Sequence, residues 1–147
     1  MVIAEALKLN ELYVKDETAW LEAMAELAST SRSTEMDFPN LSEYLTDMAN
    51  RDRRELFSRL VVLLAHLLKW EVQPEGRGSS WRGTIREQRR ELKQLLESGT
   101  LRNHAVSVFF DAYAEARLTA SDETQLDLSV FPLDSPWALD EALGEPA

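Results

Sequence analysis

The sequence contains no cysteine, so disulfide frameworks, thiolate metal sites and cysteine nucleophiles are all excluded. Histidine is nearly as scarce: His66 and His104 lie far apart, and neither belongs to a spaced histidine and carboxylate motif. No metal ligand and no cofactor is therefore predicted. Glycine and proline number five each, too few for a collagen-like or low-complexity chain, while 44% hydrophobic and 29% charged residues suit a packed globular fold. Long apolar runs are also missing. The longest, from Leu60 to Leu68, is interrupted by His66 and falls well short of the roughly 20 residues needed to cross a bilayer. The opening Met1-Val2-Ile3-Ala4-Glu5 lacks a basic stretch followed by an apolar one, so no secretory signal is expected. These absences predict a cytoplasmic protein with no membrane partner.

What is present is charge, unevenly placed. The net charge of −10 argues against nucleic acid or an anionic membrane as a partner of the chain as a whole. Residues 51–93, however, carry eleven Lys/Arg against six Asp/Glu, a net of +5. Residues 1–50 carry three against ten, and residues 94–147 two against ten. Either the acidic flanks neutralise the basic middle, or the middle offers an anion-binding face.

Apolar spacing predicts helices throughout. Asp16 can cap a first helix with Ala19, Trp20, Ala23, Met24 and Leu27 on one face. After the polar run 29–34, Asn40 can cap a short second helix carrying Leu41, Tyr44, Leu45 and Met48. From Asp52 to about Val72 the apolar stripe through Leu56, Leu60, Leu64, Leu67 and Leu68 is too wide for a surface helix, which makes this the central helix. Leu60, Leu64 and Leu67 should be nearly inaccessible to water. Gln73-Pro74-Glu75-Gly76-Arg77-Gly78 must turn the chain, and Ser79 or Ser80 can cap a fourth helix that Gly99 stops. A fifth helix runs from Leu101 towards Ala120. The tail then reads as extended through Phe131, followed by a short helix started at Ser135-Pro136-Trp137 and ended at Gly144. The expected fold is all-α: one helical domain over 1–147, a bundle of about five helices with a docked tail.

The hairpin string 64–74 (LAHLLKWEVQP), followed by 80–89 (SWRGTIREQR), resembles the domain of unknown function 29 family. Supporting pieces are Leu12-Tyr13, Asp16 and Trp20, then Arg53-Arg54-Glu55-Leu56, and finally Phe131-Pro132 with Pro136-Trp137. The sequence departs from the family pattern at Glu17-Thr18 and at 75–78. The resemblance implies an all-helical bacterial protein and brings no activity with it.

Two constellations suggest chemistry. His66, Lys69 and Gln73 share one stripe of the central helix, and the hairpin should bring them beside Trp81 and Arg82. Cations for phosphate, an indole face for a ring and a titratable imidazole make this a candidate ligand site. Structurally, the same residues would satisfy buried polar groups, with Lys69 reaching solvent and the tryptophans plugging the hairpin. As a general base, His66 would need an orienting carboxylate such as Glu43 or Asp47, and no nucleophile has an obvious partner. No catalytic residue is therefore assigned. The second constellation is the basic face of Arg86, Arg89 and Lys93, continuous with Arg82 at helical spacing. Absent a catalytic set, a non-enzymatic regulatory or protein-interaction domain is expected. The alternatives are a nucleotide or nucleic-acid binder through residues 66–93 and, third, a small hydrolase centred on His66.

Overall fold

The computed structural model describes residues 2–145, with side chains from residue 8 onward. Among these the chain forms six α-helices and no strand: α1 (Val2–Lys15), α2 (Glu17–Ser29), α3 (Phe38–Val72), α4 (Ser79–Leu95), α5 (Gly99–Thr124) and α6 (Leu139–Ala142). The all-α class is as the spacing indicated. The chain divides into two compact units, residues 1–50 and residues 51–147.

In the first unit, the Asp16 carboxylate accepts the Ala19 N–H at 3.1 Å and starts α2, satisfying one of the donors a helix start leaves open. Helix α1, which precedes that cap, was not anticipated from the sequence. The unit centres on Trp20, which is fully buried with Leu9, Met24 and Leu27. Tyr13 meets the indole edge-on, with centroids 4.8 Å apart, and Tyr44 lies 5.8 Å away. The buried indole N–H finds its acceptor in Asp37, at 3.1 Å.

Two predicted helices prove to be one. The polar run Asn50-Arg51-Asp52-Arg53-Arg54 reads as a boundary, yet neither proline nor glycine occurs between Asn40 and Val72, so nothing breaks the ladder of α3. Its start lies two residues ahead of the expected cap, at Phe38, and Asn40 sits inside the helix.

In the second unit the latter part of α3 is the spine. Leu56, Leu60, Leu63, Leu64 and Leu68 are buried. They pack with Leu92 and Leu96 from α4 and its end, and with Leu101, Ala105, Ala112, Tyr113, Ala116 and Ala120 of α5. Leu67, expected to be inaccessible, is only partly buried. The cap of α4 is Gly78 rather than a serine, so Ser79 and Ser80 open the helix itself. Ser98 caps α5 by accepting the Leu101 N–H at 3.2 Å.

The tail docks on this unit. Phe131, Leu139, Ala142 and Leu143 are buried in the same core. Polar contacts fix its path: Tyr113 donates to the Pro132 carbonyl at 2.6 Å, and Arg117 reaches the carbonyls of Leu128 (3.1 Å) and Phe131 (3.0 Å). Helix α6 begins at Leu139, three residues beyond Pro136, because Glu141 reaches back to the Ala138 N–H while Ser135 bonds Trp137 in a turn before it. Gly144 ends it at φ +75°, a left-handed position suited to glycine.

Candidate anion-binding groove

The hairpin between α3 and α4 separates the predicted ligand cluster into two sets. The first set is turned to structural contacts. Lys69 is 5% exposed, its ammonium paired with Glu123 and 5.2 Å from the centre of the Trp81 ring. Trp81 in turn lies against Gly76, where an added Cβ would run into the ring, so glycine admits the indole there without a shift. His66 donates from Nδ1 to the Val62 carbonyl, 2.8 Å away on its own helix. Burial is the largest influence on this imidazole and lowers its pKa, favouring the neutral form. The expected orienting carboxylate is replaced by that carbonyl, while Glu43 accepts from Tyr13 in the first unit. Gln73 ends α3, its backbone N–H bonding the Lys69 carbonyl at 2.9 Å, and lies half-buried ahead of the turn.

These contacts predict an effect of Glu123→Ala. It would leave the Lys69 ammonium buried with only an indole face for company. Because the Glu123 side chain is 48% exposed, the loss should be roughly 1–3 kcal/mol rather than the larger penalty of a fully buried pair. Chemical denaturation of Glu123→Ala measures it, and an unchanged midpoint would remove the pair from any structural role.

The second set faces outward. An open groove of about 1000 Å³ runs along α4, and Arg82, Arg86, Arg89, Arg90 and Lys93 line it. Only Glu71 and Glu87 oppose them on the lining. Arg82, Arg86 and Lys93 are exposed, and none of the three enters an ion pair among the described residues. Arg90 pairs with Glu91 at 3.2 Å, and Arg89 donates to the Ala142 carbonyl at 2.9 Å, tying α4 to the tail. Within residues 51–147, three acids that could neutralise the groove are engaged elsewhere: Asp140 and Glu145 of the tail hold Arg102, and Glu123 of α5 holds Lys69. The floor is apolar and aromatic, with Leu67, Ile85, Trp70 and Trp137. Arg77 and Arg82 lie 5.3 and 5.6 Å from the Trp70 ring centre, and Arg77 also donates to the Trp70 carbonyl at 2.6 Å. A smaller recess of about 360 Å³ shares Glu71 and Trp137 with the groove.

Of the predicted site residues, the structure thus brings Arg82, Arg86, Arg89 and Lys93 onto one groove, and leaves His66, Lys69, Gln73 and Trp81 off its lining. Arg90 and Trp137 were missed. The first follows Arg86 by four residues and was legible in the spacing; the second reaches the groove only because the tail folds back.

The conserved-domain description "Domain of unknown function DUF29" matches residues 12–146, nearly the whole chain. The chain belongs to this family. The DUF29 match takes in residues 12–50 of the first unit and 51–146 of the second, with every residue of the groove. No curated protein and no solved structure matches the chain. Among the described residues of this family member, no group of three or more histidines or carboxylates could hold a metal ion. No helix among them is long and apolar enough to cross a membrane.

Proposed function

We propose that this protein is a non-enzymatic binding domain that takes an anionic partner along α4. The supporting observation is the groove, where five cations meet two carboxylates and three of the cations have no ion-pair partner among the described residues. A solvated helix that existed only for solubility would intersperse its charges and pair them along its own surface. On α4, Glu91 is drawn to Arg59 and Arg90 instead, which leaves the row Arg82, Arg86 and Lys93 open. At about 1000 Å³ the groove lies at the upper end of the range for small-molecule pockets, and it is open along its length rather than enclosed. His66, the centre of any hydrolytic reading, has its Nδ1 committed to a backbone carbonyl, and among the described residues no nucleophile is bonded to it.

Thermal unfolding with polyphosphate, an oligonucleotide and polyglutamate tests the reading. A ligand held only by the folded form at a hundred times its Kd adds about 2.7 kcal/mol of stability. At least one of these polyanions should therefore raise the melting temperature by several degrees, and the rise should vanish in Arg82→Glu/Arg86→Glu. No shift with any of the three would refute the proposal.

A further inference from the structure

We infer that the anionic partner is a single-stranded nucleic acid, its phosphates along α4 and a base against Trp137. This rests on the binding reading above and names the ligand class of the same groove. Charge complementarity requires an anion, and the shape requires a long one: Arg82 to Lys93 spans about 16 Å of helix at 1.5 Å per residue. An extended acidic peptide and a nucleic-acid strand both satisfy that condition. The floor separates them. Trp70 and Trp137 lie beside the cations, and among the described residues neither indole N–H donates to a protein acceptor, whereas Trp20 in the first unit donates to Asp37. Cations set beside aromatic rings are the combination that binds single strands without regard to sequence, because every base offers a stacking face. A polyglutamate chain has no ring to place there. A duplex has rings, but they are already stacked on each other, so its bases are closed to an indole.

The two tryptophans are not equivalent. Trp70 already carries the guanidinium groups of Arg77 and Arg82 near its ring, while Trp137 is half-buried between the groove and the adjoining recess. Trp137 is therefore the stacking residue, and Trp70 holds Arg77 and Arg82 at one end of the row. The acidic remainder of the chain opposes approach at long range but is screened beyond roughly 8–10 Å at physiological salt, and on the groove itself five cations outnumber Glu71 and Glu87.

Fluorescence anisotropy decides the matter with four fluorescein-labelled probes of equal length: a twelve-nucleotide oligo-dT, a twelve-nucleotide oligo-rU, a duplex of twelve base pairs and a twelve-residue polyglutamate. At least one single strand should bind ten-fold or more tighter than duplex and polyglutamate. Trp137→Leu, which keeps apolar bulk for the tail, should weaken that strand by about 5- to 100-fold. Arg86→Ala, at an exposed position, should make the log–log salt slope shallower by about 0.7, the loss of one phosphate contact. Melting curves confirm that both variants fold. Polyglutamate binding as tightly as the strands, or Trp137→Leu leaving their affinity unchanged, overturns the nucleic-acid inference and leaves the anionic partner standing. If no probe binds and polyphosphate also fails to shift the melting temperature, both readings fall.

Discussion

Phe131→Ala should destabilise the 51–147 unit by about 3–5 kcal/mol, the range for truncating a buried phenylalanine. The ring is 1% exposed although it lies in a segment with no regular structure beyond a single 3₁₀ turn at Leu128–Val130. Its position is set by neighbours on α5: Arg117 donates to the Phe131 carbonyl, and Tyr113 to the carbonyl of the next residue, Pro132. Removing the ring leaves those donors reaching for a backbone that has lost its anchor, so the expected value lies towards the upper end. Deleting everything after Thr124 should be worse, since it strips Leu139, Ala142 and Leu143 from the same core and frees Arg89 from the Ala142 carbonyl. Urea denaturation followed by circular dichroism reads both variants. A Phe131→Ala midpoint within error of the parent would mean that the tail decorates the core and contributes nothing to it.

The sequence carried the helices well where periodicity and stop signals agree. Pro74 with Gly76 and Gly78 made the α3–α4 turn, and the leucines at 56, 60 and 64 gave the buried side of α3. It misled at Asn50–Arg54, where five polar residues resemble a loop; with no proline or glycine to break the ladder, the stretch stays helical. The groove was legible by half. Arg82, Arg86 and Lys93 share one face by arithmetic alone, but the same arithmetic set Lys69 beside them as a possible ligand cation. Whether a lysine faces water or a partner depends on what lies across from it, and here that is Glu123, fifty-four positions along the chain. Trp137 was legible as a tail anchor, yet its place on the groove follows from long-range docking that no local pattern encodes.

Leu64→Ala should cost about 2–5 kcal/mol, whereas Leu67→Ala, three residues on, should cost roughly 1 kcal/mol. Sequence spacing treats these leucines alike. Leu64 is 0% exposed and surrounded by the α4 and α5 core, so truncation leaves a cavity that well-packed neighbours cannot fill. Leu67 is half-buried and opens onto the α4 groove, where solvent occupies the vacated space. The two variants should therefore separate stability from binding. Leu64→Ala lowers the melting temperature markedly without altering the groove lining, and Leu67→Ala changes the groove floor at small thermal cost. Equal losses of stability would place Leu67 inside the core and close the apolar floor on which the proposed site is built.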